Sequence, residues 1–258
     1  KELRMSQEEL AKAFSPEQID VLALFMDAED SGKKGSAIID QMGVGKGRVI
    51  SALLWRAHLK GKKPMFMTER PLNISDIVRD LKHIGVFEKL NILIINNDVQ
   101  AIDETDNSVL VQSPDSETLD KIFKSEKFPD QYDLVIGTYS MFNRNGDEPK
   151  VLQRSKQDAE GNYIKKGNGY EQENYVEEDT RTPHTLWIRR AINEDVYLAL
   201  DESHVAAGET GNIAKNIGTA KDNSGFTLYS SATWSANSKN ISLYDRLIPD
   251  SIDINDLQ

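Results

Sequence analysis

The chain has 258 residues, 38% of them hydrophobic and 28% charged, with a net charge of −11 and no cysteine. That length can bury a sizeable core, as one large domain or two small ones. The missing cysteines exclude disulfides and thiolate metal sites, the acidity argues against a protein that coats nucleic acid by charge alone, and no apolar run approaches the roughly 18 residues of a membrane span.

His58, His83, His184 and His204 are scattered without ligand spacing, so no structural zinc is expected. The start Lys1-Glu2-Leu3-Arg4 leads into an acidic amphipathic segment rather than a secretory signal. An initiating Met is lacking and Leu257-Gln258 carries no end signal, so the chain reads as a piece of a longer protein.

Residues 1–35 read as a helical segment. Ser36-Ala37-Ile38-Ile39-Asp40 then reads as a buried strand running into a Gly-rich loop, and a helix follows from about Lys46, with Val49, Ile50, Leu53, Leu54 and Ala57 on one face. Met65-Phe66-Met67-Thr68 is a second strand, and Ile74, Ile77, Val78, Leu81 and Ile84 give the next helix its apolar stripe. Further strands are expected at Ile92-Leu93-Ile94-Ile95, Leu134-Val135-Ile136-Gly137, Val196-Tyr197-Leu198-Ala199-Leu200 and Phe226-Thr227-Leu228-Tyr229. Ser113-Pro114 is expected to open another helix, Ser as cap and Pro at the first position. Five or more such strands alternating with helices predict an α/β fold of three layers, a mostly parallel sheet flanked by helices over residues 36–258, with ligands at the carboxyl ends of the strands. A polar, Gly/Asn-rich stretch at about 144–183 breaks the rhythm and is expected as a long loop inserted into this domain.

The loop Asp40-Gln41-Met42-Gly43-Val44-Gly45-Lys46-Gly47-Arg48 carries chemistry. Glycines let successive N–H groups turn toward an anion, the helix N-terminus adds a favourable dipole, and Lys46 reaches the β- and γ-phosphates of a nucleotide. Gly43, Val44, Gly45, Lys46, Gly47 and Arg48 are therefore candidate nucleotide-binding residues. Two features depart from the full phosphate-loop pattern: Asp40 stands where the first Gly belongs, and Gly47 where a magnesium-binding Ser or Thr belongs.

Leu198-Ala199-Leu200-Asp201-Glu202-Ser203-His204 is an apolar strand ending in two carboxylates. There Asp201 can hold magnesium through water while Glu202 polarises an attacking water. A Ser/His/Asp triad is a poor reading of these neighbours, because a triad needs side chains that converge in space. The last strand ends in Ser231-Ala232-Thr233, small hydroxylated residues able to relay the state of a neighbouring site.

Together these residues resemble helicases and translocases of superfamily 2. Lys46 matches motif I, Asp201-Glu202-Ser203-His204 the DExH form of motif II, and Ser231-Ala232-Thr233 motif III. More closely, Gly-Val-Gly-Lys-Gly-Arg, Asp-Glu-Ser-His-Val-Ala-Ala-Gly and Tyr-Ser-Ser-Ala-Thr-Trp resemble the strawberry notch family of helicase-like ATPases, which includes phage-borne members. The resemblance runs from about Phe14 to Tyr244 and implies ATP and Mg2+ as cofactors, with Lys46 and Glu202 catalytic, Asp201 on the metal, and His204, Ser231 and Thr233 coupling the site to motion. It also implies an adenine-reading Gln18 and nucleic-acid contacts at Thr68 and Arg70 (motif Ia) and at Thr138 and Tyr139 (motif Ib).

The implied protein is the ATP-binding lobe of a nucleic-acid helicase or translocase in the cytoplasm or nucleus, acting more on DNA than RNA and completed by a second RecA-like lobe of the same polypeptide. No second lobe with its arginine finger follows motif III, so weak nucleotide binding and poor hydrolysis are expected of this chain alone. Two other readings stand beside it: a nucleotide-dependent interaction or remodelling module without strand translocation, and a structural domain with a decayed phosphate loop.

Overall fold

Strands buried on both faces read as unbroken Val/Ile/Leu-rich runs, and those runs become the centre of the fold. The computed structural model describes residues 2–39, 45–143, 151–176, 183–207, 211–232 and 238–248. In chain order these form α1 (Gln7–Ala13), α2 (Pro16–Asp30), β1 (Gly35–Ile38), α3 (Lys46–Leu59), β2 (Lys63–Thr68), α4 (Leu72–His83), β3 (Ile92–Ile94), β4 (Gln100–Ile102), β5 (Val109–Gln112), α5 (Ser116–Lys124) and β6 (Leu134–Thr138). There follow β7 (Val151–Ser155), β8 (Lys165–Lys166), β9 (Gly169–Tyr170), β10 (Gln172–Val176), α6 (Pro183–Ala191), β11 (Val196–Asp201), α7 (Asn212–Asn223) and β12 (Phe226–Ser230), with a 3-10 segment at Ser238–Leu247. No helix among the described residues is long and apolar enough to cross a membrane.

Among the described residues six strands make one sheet in the order β1-β12-β11-β2-β6-β3, every pair parallel. Strand alternation sends neighbouring side chains to opposite faces. Phe66, Ile136, Ala199 and Leu228 pack with Ile50, Leu53, Leu54, Ile77 and Leu81 on one face, and Met65, Met67, Val135, Leu198 and Leu200 pack with Trp187, Ile188 and Ile217 on the other. Burying each Leu stabilises by about 1.5–3 kcal/mol, so this double core holds the sheet rigid beneath its strand ends. The expected three-layer α/β fold is the observed one.

The N-terminal segment is held to α3 by charge as well as packing. Arg56, 1% exposed, donates to Glu2 at 2.5 Å, to Glu29 at 2.5 Å and to both oxygens of Asp30 at 2.8 and 2.7 Å. Arg56 and Glu29 are buried, whereas Glu2 and Asp30 are about half exposed, so solvent screens the outer two contacts and the Arg56–Glu29 pair matters most. The network fixes α2, and so its first turn, beside the start of α3.

Two expectations change. Ser113-Pro114 does not open a helix: α5 is capped by Asp115, whose carboxylate accepts from Thr118 N at 2.7 Å, while the buried Ser113 Oγ accepts from Val99 N at 3.1 Å. Asp is as good a cap as Ser, and the tertiary partner at Val99 drew Ser113 away. The polar stretch is not one structureless loop either, since β7 pairs antiparallel with β10 and β8 with β9 to make a hairpin arm. Its strands lack an apolar face, so no periodicity marked them in the sequence.

Candidate functional site

Parallel pairing puts the strand ends in one row. Ile38 lies opposite Ser230, Ser230 opposite Asp201, Leu200 opposite Met67, and Thr68 opposite Thr138. The residues just past each strand therefore share one edge of the sheet, although they are far apart in sequence.

The loop after β1 enters α3 through Gly45, whose φ of 76° is left-handed. Gly fits here for two reasons: that conformation strains other residues, and a Cβ would overlap Gln18 Nε2. Gln18 completes a capping box with Ser15 at the start of α2 and donates from Nε2 to Gly45 O at 3.2 Å. Arg48 reaches back to Ala13 O at 3.2 Å. Among the described residues no side chain caps α3; the Arg48 N–H turns back onto Gly45 O at 3.2 Å, and the positive end of the helix dipole faces the loop.

Facing this loop, Asp201 ends β11 and its carboxylate is held on both oxygens. Ser230 Oγ donates to Oδ1 at 3.0 Å and Thr68 Oγ1 to Oδ2 at 3.1 Å, while Asn73 Nδ2 donates to Thr68 Oγ1 at 2.9 Å. Tyr139 supports the same residue from below, its hydroxyl donating to Asp201 O at 2.6 Å. Burial pushes the Asp201 carboxyl above its ordinary value; Ser230, Thr68 and the positive charge of Lys46 pull it back only in part. Glu202 follows at φ 49°, an uncommon conformation for a residue with a side chain. It turns the chain into the 3-10 segment Ser203–Ala206 and brings the Glu202 carboxylate within 3.4 Å of His204 Nδ1.

Lys46, Gly45, Gly47, Arg48, Gln18, Asp201 and Glu202 line one cleft of about 790 Å3, together with Asp76, Arg79, Asp80 and His83 of α4. A larger hollow of about 1250 Å3 lies between α2, β1 and Asp245–Ile248, away from these residues, and carries no comparable set of convergent groups. His204 and Ser231 meet at 2.9 Å, Nδ1 to Oγ, which links the end of β11 to the end of β12. Gly43, Val44 and Thr233 lie outside the described residues.

The expected nucleic-acid contacts divide. Arg70 is solvent-facing, its side chain 73% exposed. Thr68, Thr138 and Tyr139 are at most 2% exposed, so their side chains are not surface contacts. They brace the strand ends instead: Thr68 and Tyr139 hold Asp201, and Thr138 accepts from Asn96 Nδ2 at 2.7 Å. The strand-end position was legible, but not which way each side chain turned. Sequence reasoning also passed over Ser230, Asn73 and Asp80; only the departure at Gly47 could have prompted a search for the last.

Magnesium on a nucleotide is held by phosphates, waters and one or two carboxylates rather than by a protein cage. Among the described residues no three acidic, His or Cys side chains converge into such a cage. One oriented carboxylate beside a Gly-rich turn into a helix, as Asp201 is here, fits the nucleotide-borne arrangement.

The fold is that of a RecA-like lobe, the class built on a parallel sheet with a phosphate loop after its first strand. Among solved structures the chain is similar to the SWI2/SNF2 ATPase core of Sulfolobus solfataricus, determined in complex with dsDNA, with a TM-score of 0.52 and 14% sequence identity. The likeness covers 94% of this chain and 37% of that one, so the chain spans little more than a third of its neighbour. No family model matches the sequence, and a search of the curated proteins returns no match.

Proposed function

We propose that this chain is the nucleotide-binding lobe of an ATP-driven nucleic-acid translocase or helicase, related to the strawberry notch group. One observation carries the reading: the loop at Gly45–Arg48 and the pair Asp201-Glu202, about 150 residues apart, line a single cleft at the carboxyl ends of two parallel strands, β1 and β11, with β12 between them. A decayed phosphate loop has no reason to keep its lysine facing an oriented carboxylate.

In this reading the first-turn N–H groups of α3 and Lys46 receive the β- and γ-phosphates. Asp201, held by Ser230 and Thr68, would hold the magnesium ion by accepting hydrogen bonds from its bound waters. The metal supplies charge neutralisation on the phosphate oxygens. Glu202 takes a proton from the attacking water and His204 orients the Glu202 carboxylate. The His204–Ser231 bond then passes the state of that carboxylate to β12 and beyond. Gln18 reads adenine and, through Gly45 O, reports its presence to the loop. Arg70 contacts the nucleic-acid backbone, and a second RecA-like lobe closes on the cleft to complete hydrolysis.

The SWI2/SNF2 neighbour was solved on double-stranded DNA, which favours DNA as the track. The test is ATPase activity of the intact protein with and without duplex and single-stranded DNA or RNA. Nucleic-acid stimulation that Lys46→Ala abolishes is the expected result. Hydrolysis indifferent to every nucleic acid would favour the interaction module without translocation.

A further inference from the structure

The residue after Lys46 is Gly47, so the hydroxyl that a full phosphate loop offers to magnesium is missing. Its space is filled from elsewhere. A Cβ built on Gly47 would overlap Asp80 Oδ2 and lie 3.1 Å from Asp80 Cγ. A carboxylate oxygen from α4 thus occupies the volume that a Ser or Thr side chain would need.

The helix delivers it there by ordinary amphipathicity. Ile74, Ile77, Val78 and Leu81 are buried in the core, which turns Asp76, Asp80 and His83, at helical spacing, toward the cleft of Lys46 and Asp201. Asp76 is the less suited of the two acids, being 43% exposed and paired with Arg79 at 2.8 Å. The Asp80 side chain is 17% exposed, its nearest ion contact is His83 Nδ1 at 3.9 Å, and among the described residues no donor hydrogen-bonds it. Burial pushes its carboxyl up, against the weaker pull of Arg79, His83 and Arg48. A largely covered carboxylate without donors is destabilising, and a cation that joins it offsets that cost.

We infer that Asp80 replaces the missing hydroxyl as a direct protein ligand of the divalent cation that accompanies the nucleotide, and that Gly47 is glycine because any side chain would displace that carboxylate. The inference rests on the cleft being the nucleotide site. Its consequence differs in kind from a hydroxyl ligand. Asp80 adds a negative charge beside the phosphates, so it attracts the metal complex of the nucleotide and repels the nucleotide stripped of metal.

The experiment is equilibrium binding of a fluorescent ATP analogue to the full chain, in Mg2+ and in EDTA, with Mn2+ and electron paramagnetic resonance as an independent probe of the metal. Asp80→Ala should weaken binding in Mg2+ at least about tenfold while leaving binding in EDTA unchanged or tighter, and should shift the Mn2+ signal toward free metal. Gly47→Ser should weaken binding, and the double variant Gly47→Ser/Asp80→Ala should recover metal-dependent affinity through the restored hydroxyl. Asp80→Asn, nearly isosteric, serves if the alanine variant melts early. Equal losses in Mg2+ and EDTA, or an unchanged ratio between them, would overturn the role of Asp80 while nucleotide binding stands. No binding by the wild-type chain in either medium, indifferent to Lys46→Ala, would instead sink the nucleotide-site reading and this inference with it.

Discussion

Asp201 and Asp80 line the same cleft, one from a strand end and one from a helix, and both carboxyls are pushed upward by burial. Their surroundings differ. Asp201 sits at a strand end, where parallel register delivers Ser230 and Thr68 as donors to its two oxygens. Asp80 sits on a helix face and has no donor among the described residues. A carboxylate locked by hydroxyls keeps one orientation whatever binds beside it and suits a role through water. A carboxylate without donors suits direct contact with a cation that arrives with the ligand. Rigid sheet edges place chemistry in advance, whereas helix faces can leave it waiting.

The largest effect should come from the residue next to Asp201. Glu202→Gln is expected to lower ATP turnover of the intact protein by about 10²–10⁴, the usual contribution of a general base, with nucleotide affinity within about twofold. Steady-state hydrolysis beside a binding titration checks it, and retained turnover would remove Glu202 from the mechanism.

Next come the donors that distinguish the two acids. Thr68→Val strips Asp201 Oδ2 of its partner and also leaves Asn73 Nδ2 without its acceptor, so a loss of about 1–3 kcal/mol in urea unfolding is expected. Ser230→Ala removes only one bond and should cost less. If neither variant changes stability, the orientation of Asp201 is set by something other than these hydroxyls.

The smallest effect concerns pH and carries a definite sign. Each carboxyl binds its proton more readily folded than unfolded, so its unfavourable contribution is absent in acid. That contribution grows as pH rises through the ordinary carboxylate range toward the elevated folded value. Asp80→Asn should therefore melt higher than the wild type at about pH 7.5, and the gain should vanish near about pH 4. Asp201→Asn should behave alike but gain less, because its hydroxyl donors already offset part of the cost. A gain that is larger in acid would contradict the burial of either group.

How much of this was readable beforehand varies by element. The runs at Met65–Thr68, Leu134–Gly137 and Val196–Leu200 were found to within a residue or two, because strands buried on both faces have nothing but apolar side chains to show. The arm at β7–β10 was missed for the opposite reason: its mostly polar sequence carries no hydrophobic period. Within the site, Lys46, Asp201 and Glu202 were legible because each follows an apolar run at a strand end. Asp80 was not, since an acidic residue on an amphipathic helix is as often solvated as functional.

The sequence by itself determined the alternation of buried strands and helices, the Gly-rich loop and the acidic strand end, all of which are local patterns. Tertiary structure alone decided that Ser230 and Thr68 hold Asp201, that Thr138 and Tyr139 turn inward, and that the Asp80 carboxylate fills the space beside Gly47. Those outcomes depend on strand register and on the rotation of α4 against α3. Both are set by how two cores pack around one sheet, a property of the whole chain that no single segment contains.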